Sequence, residues 1–218
     1  MSLFDVYVYL SQASVLLPII VAWIYFSKLN HPFRVLFYFF LLGIGFEVLA
    51  RQLRIIYQNN MPGLHLFTIV QFLMFSVLFH AQFSGSKNLQ RLIYCNAGVA
   101  LAIAVAEAFF LNGIWQSNLI SRSYCSAFII AYTLIYFYRV FSGNRTSFSR
   151  YNPESWFNIA VLIYFGNNVL YFMFRDYLLL HEPAVENLSY GLYVTLNIIA
   201  HLLYAQSFRC FKTWKTES

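Results

Sequence analysis

At 218 residues the chain is ample for one domain and short for two. Hydrophobic residues make up 60% of it and charged residues only 10%, against about a quarter charged in a water-soluble domain, so the composition points to lipid. The net charge of +6 sits in short stretches between apolar runs, and no aromatic–basic repeat of a nucleic-acid module is present, so nucleic acid is not expected as a partner.

A membrane helix needs about 20 mostly apolar residues. Seven stretches meet that requirement: 6–26, 35–57, 64–83, 92–111, 119–141, 156–174 and 187–209. The connections carry helix breakers: "KLNHPFR", "QNNMPG", "SGSKNLQR", "NGIWQSN", "SGNRTSFSRYNPES" and "RDYLLLHEP". A membrane barrel would show alternating strands of about ten residues instead. The expected fold is an all-α membrane protein, one domain over 1–218, built as a seven-transmembrane-helix bundle. The opening "MSLFDVYVYL" has no basic n-region and no small-residue cleavage site, so the first stretch is expected to stay as a helix.

Lys and Arg set the expected direction. Lys28, Arg34, Lys87, Arg91, Arg139, Arg145, Arg150, Arg209, Lys212 and Lys215 fall on one side, ten of the fourteen basic residues. Arg51, Arg54, Arg122 and Arg175 fall on the other. The N-terminus is therefore expected outside and the C-terminus in the cytoplasm, in a multi-pass protein of the inner (cytoplasmic) membrane.

Polar groups at membrane depth are costly and mark function or packing. The second stretch carries Glu47, Arg51 and Arg54 at i, i+4 and i+7, one stripe of a helix. The third carries His65, Gln71 and, near its inner end, His80. Glu107 ends the fourth and Arg122 begins the fifth, and a pair between them is expected. The sixth holds adjacent amides, Asn167 and Asn168, which point about 100° apart and so serve two different contacts. One is expected to reach Asn197; Tyr164 or Tyr171 stands ready to support the other. In the seventh, Tyr190, Tyr193, Asn197, His201 and Tyr204 recur every three or four residues, a polar face that must meet the bundle interior.

These residues are concentrated at the midplane and in the outer half, while "LPIIVAWIYF" and "VLFYFFLLGIG" are close to pure oil. The expected ligand site is an outward-facing polar cavity lined by Glu47, Arg51, Gln71, Asn167 or Asn168, and Asn197. Its charges nearly cancel, which suits a small zwitterionic or neutral polar ligand. Enzyme chemistry is not expected. The five His show no H-x-x-x-H or H-E-x-x-H spacing, G-x-S-x-G is absent, and the seventh stretch holds no Lys for a Schiff base. No catalytic residue, metal site or cofactor follows from the pattern, and Cys95, Cys125 and Cys210 form no disulfide framework. A receptor-like sensor or interaction module is the favoured function. The short tail "KTWKTES" assigns any output to a separate cytoplasmic or membrane signalling protein. A small-solute transporter is the alternative.

Residues 32–49 and 153–170 align without a gap and share Pro32/Pro153, Leu41/Leu162, Gly45/Gly166, Val48/Val169 and Leu49/Leu170. A parallel three-plus-one-plus-three arrangement similar to the SWEET sugar-efflux bundles would follow from such a repeat. Through "NNMPGLHLFTIVQF" (59–72), "WFNIAVLIYFGNNVLYF" (156–172) and "LNIIAHLLYA" (196–205), the chain also resembles a group of short bacterial seven-helix membrane proteins of unassigned function. Gln71 stands where that resemblance implies Glu. The group implies no activity.

Overall fold

The computed structural model describes residues 3–111, 113–143 and 149–213, without the side chains of residues 3–5, 175, 176, 179, 183 and 184. Arg145 and Lys215, counted above among the cytoplasmic charges, lie outside the described residues, as does the side chain of Arg175.

Among the described residues every regular element is helical: α1 (Leu3–Ser14), α2 (Leu16–Ile24), a short 3-10 turn (Phe26–Lys28), α3 (His31–Tyr57), α4 (Met61–Gln82), α5 (Lys87–Ala106), a π-type turn (Glu107–Leu111), α6 (Leu119–Phe141), α7 (Pro153–His181) and α8 (Pro183–Cys210). They supply seven segments long and apolar enough to cross a membrane: Val6–Ile24, His31–Tyr57, Met61–Gln82, Lys87–Leu111, Leu119–Phe141, Pro153–Phe174 and Val185–Cys210. These coincide with the seven apolar stretches of the sequence. The chain is a multi-pass helical membrane protein.

The first span is broken between Ser14 and Leu16. Pro18 has no N–H for the Ser14 carbonyl, and its ring crowds that carbonyl, which is enough to kink a helix one turn upstream. The second and sixth spans begin alike. Asn30 accepts a hydrogen bond from the Phe33 N–H (3.2 Å), Asn152 accepts from the Glu154 N–H (2.9 Å), and a proline occupies the first turn of each helix. Both asparagines thus satisfy an N–H that would otherwise be orphaned, and each proline sits where its missing donor costs nothing. The stretch "RDYLLLHEP", expected as a loop, is helical: α7 runs on to His181, Glu182 alone intervenes, and Pro183 opens α8. Its Leu-rich middle favours helix, and the proline is well placed at a helix start.

The chain divides into two compact units, Met1–Leu29 with Thr133–Ser218, and Asn30–Tyr132. In the first, α8 packs along α7 and also against α1 and α2. Its fully buried side chains include Phe157, Tyr204, Phe208, Phe211 and Tyr136. In the second, α3 packs on α4 and α4 on α5. Phe79 is central there, its ring 6.1 Å from Phe83 and 5.5 Å from Tyr132, while Phe39 meets Phe75 edge-on at 5.2 Å. Such offset and edge-to-face contacts are the favoured aromatic geometries. The first span thus belongs to the same compact unit as the last two.

Candidate functional site

The polar groups of the first unit gather along α8. Asn167, 8% exposed, donates from Nδ2 to the Tyr193 carbonyl (3.0 Å) and more distantly to Asn197 Oδ1 (3.5 Å). Asn168 donates to the Tyr164 carbonyl on its own helix (2.7 Å), and its Oδ1 accepts from the Tyr193 hydroxyl (3.3 Å). The adjacent amides therefore answer two needs. Asn167 ties α7 to the α8 backbone, while Asn168 closes a local bond and holds a phenol. Hydrocarbon offers no alternative partner, so each of these bonds is needed to keep an amide in the span.

An aromatic cluster adjoins the amides. The Tyr171 ring lies 4.5 Å from Tyr193 and 5.9 Å from Tyr190, and Tyr190 and Tyr193 are stacked at 6.1 Å. The Tyr171 hydroxyl donates to Glu186 Oε1 at 3.1 Å. Tyr171, Tyr190, Tyr193, Asn168, Asn197 and Glu186 are all half-buried rather than sealed. The cluster combines electron-rich ring faces, a carboxylate and amides within two adjacent helices. That is the chemistry that attracts an ammonium group and bonds a polar head.

Further along α8, a second polar tie joins it to the first span. Tyr7 meets Thr195 (2.6 Å), and the Ser11 hydroxyl donates to the Val194 carbonyl (3.4 Å). Ser14 Oγ lies 2.6 Å from the Ser11 carbonyl and 2.7 Å from His201 Nδ1. Ser14 thus bridges the Ser11 carbonyl and the His201 ring, tying the first span to α8. Tyr204, the last member of the α8 polar stripe, is buried.

The second unit concentrates its polar contacts around residues 113–121. His65, packed in α4, bonds the Gln116 carbonyl through Nε2 (3.0 Å), and Asn59 donates to the Trp115 carbonyl (2.8 Å). Asn118 donates to Thr68 Oγ1 (2.7 Å) and to the Leu64 carbonyl (3.2 Å). Glu107, wholly buried, accepts from the Ile120 N–H (2.9 Å) and the Ser121 N–H (2.8 Å), one on each carboxylate oxygen. It caps α6, where orphaned N–H groups and the helix dipole both favour an anion. The sequence pointed to Arg122, and the backbone one and two residues before it bonds both oxygens. His80, near the C-terminal end of α4, packs on Tyr94 with ring centroids 5.0 Å apart.

Five residues, Glu47, Arg51, Gln71, one of Asn167 or Asn168, and Asn197, were expected to line one cavity. Asn167, Asn168 and Asn197 come together in the first unit, while Glu47, Arg51 and Gln71 belong to the second. Glu47 and Arg51 are both exposed on α3, and Gln71 is half-buried with its Nε2 buried and without a hydrogen-bond partner. The sequence pattern missed Glu186, hidden beside a connection. It also missed Tyr7, Ser11 and Ser14, although their i, i+4, i+7 spacing marks one stripe of the first span. Among the described residues no group of His, Cys, Asp and Glu is arranged to hold a metal ion. No family model, curated protein or solved structure matches the chain.

Proposed function

We propose that the protein is a receptor-like sensor of the cytoplasmic membrane, with its N-terminus outside and its C-terminus inside. It binds a small zwitterionic or neutral polar ligand at the α7–α8 cluster and passes the signal to a separate membrane or cytoplasmic protein. The observation that carries this reading is the cluster itself: Tyr171 stacked on Tyr193, their hydroxyls on Glu186 and Asn168, all half-buried. The ring faces and Glu186 suit the ammonium end of a zwitterion, and the amides and phenols suit its polar remainder. The proline-led starts of α3 and α7, Pro32 and Pro153, which fall in register in the alignment of 32–49 with 153–170, support a second reading, transport of the same solute class through a parallel repeat.

The test is a thermal-shift screen of detergent-purified protein against amino acids, betaines and small polyols, followed by flux of any hit into proteoliposomes. Binding without flux supports sensing; flux supports transport. Glu186→Gln keeps an acceptor for Tyr171 and removes the charge, so it should weaken a zwitterionic hit about tenfold while the unligated protein unfolds at its usual temperature. Asn197→Ala should reduce binding as well. Full binding by both folded variants would remove α7–α8 as the site.

The proposed direction has its own check. A C-terminal green fluorescent protein fusion should fluoresce and a C-terminal alkaline phosphatase fusion should be inactive, because only a cytoplasmic end gives that pair of results. The reverse pair would invert the topology.

A further inference from the structure

The two halves of the first span are fastened to α8 in different ways. After the break, α2 buries Pro18 and Ala22 and packs on α8. Before it, the buried side chains described in α1 are two serines, Ser11 and Ser14, while Val6, Tyr9 and Leu10 are exposed. What holds α1 is a row of hydrogen bonds: Tyr7 to Thr195 (2.6 Å), Ser11 to the Val194 carbonyl (3.4 Å) and Ser14 Oγ to His201 Nδ1 (2.7 Å). The last of these closes on Ser14, the residue at the break, whose carbonyl Pro18 cannot serve. A histidine is the one side chain in the row whose charge changes near neutral pH.

We propose that α1 is an arm hinged between Ser14 and Pro18, and that protonation of His201 releases it from α8. At about 1.5 Å per residue, His201 lies about 5 Å from the middle of the Val185–Cys210 span, deep in the hydrocarbon. The Ser14 hydroxyl serves the neutral ring there. An imidazolium at that depth is costly unless water or an anion reaches it. The packed elements bring phenols instead: Tyr7 on α1, Tyr164 on α7, Tyr193 and Tyr204 on α8, and no titratable side chain on α2. Charged groups stand toward the helix ends. Glu186 and Arg209 are about 22 Å and 12 Å from His201 along α8. Glu154 of α7 is level with Ser207, which bonds the Pro153 carbonyl (2.7 Å), about 9 Å along the axis from His201. Lys28 lies beyond α2, and the side chains of Asp5, Arg175 and Asp176 lie outside the described residues. Swinging α1 away wets α8 from Val194 to His201 and solvates the cation. The neutral ring therefore favours the closed arm and the charged ring the open one. The hinge needs no ligand and stands apart from the reading of the α7–α8 cluster.

The experiment uses full-length protein with Cys95, Cys125 and Cys210 replaced by alanine, spin-labelled at Leu10→Cys and Leu202→Cys, two exposed positions, in phosphatidylcholine nanodiscs. Distances are recorded by double electron–electron resonance at pH 8 and pH 4. One short distance is expected at pH 8. At pH 4 a longer population should grow about tenfold relative to the closed one. Ser14→Ala removes the catch and should raise the open population about fivefold already at pH 8. His201→Gln keeps a hydrogen-bonding group that does not titrate, so its distribution should be the same at both pH values; His201→Leu serves in its place if the glutamine variant does not fold. A second label pair on α7 and α8, Leu170→Cys with Leu192→Cys, should keep its distance throughout, which separates a moving arm from acid unfolding. An unchanged distance in wild type at both pH values would overturn the hinge. So would a pH response that persists in the His201 variants, or one that the α7–α8 pair shares.

Discussion

Glu107→Ala should destabilise the protein by about 3 kcal/mol, because it removes two charge-assisted hydrogen bonds at once. Both carboxylate oxygens are bonded to successive N–H groups at the start of α6, and the side chain is 0% exposed. Alanine leaves those donors facing a cavity and takes an anion from the positive end of a helix. Glu107→Gln keeps one good acceptor and should recover roughly half of the loss, about 1.5 kcal/mol. Reversible unfolding in mixed micelles, followed by circular dichroism, measures both. If the alanine variant unfolds with the wild-type midpoint, the carboxylate does not hold α6 in place.

Phe79→Ala should cost about 2–3 kcal/mol, a little below the usual range for a buried phenylalanine. Phe79 is 0% exposed and touches Phe83 and Tyr132. In a membrane the ring gains little by leaving lipid for protein, so the loss is one of contacts and of the cavity left behind. Leu73, on the same helix and 43% exposed, is the control: Leu73→Ala should change stability by less than about 0.5 kcal/mol. Equal effects at the two positions would mean that α4 packs with a different face inward.

The contrast between these two positions explains what could be read from the sequence. The seven spans were legible because lipid forces long apolar runs with satisfied backbones, and those runs stand out whatever the packing. The polar face of α8 was legible for a related reason: Tyr193, Asn197 and His201 cannot face lipid, so their spacing names the inward side. The Asn167–Asn197 contact followed from the cost of a lone amide. Which apolar face meets which was not legible, because Leu73 toward lipid and Phe79 toward protein are chemically alike. For that reason the packing of the first span against α8, made by Tyr7, Ser11 and Ser14 on an otherwise greasy helix, went unseen. Glu107 was recognised as needing a partner, but the N–H groups of Ile120 and Ser121 that bond it are backbone, and backbone carries no letter in a sequence. Glu186 was overlooked because a carboxylate beside a connection looks like ordinary surface.

The uninterrupted course of α7 has a consequence for how unit 1 meets the water phase. Twenty-nine residues make a helix about 43 Å long, and a bilayer core is about 30 Å thick. With its span over Pro153–Phe174, the last two turns of α7 and the first turn of α8 extend about 10 Å beyond the hydrocarbon, the depth of the headgroup layer, as a stiff, two-stranded mast with Glu182 at its tip. A one-residue hinge between such helices has little slack for a protease to grip, so the mast should outlast ordinary loops in a digest. Tyr171 and Glu186 stand at its foot, joined by a hydrogen bond that ties the two helices where they enter the span.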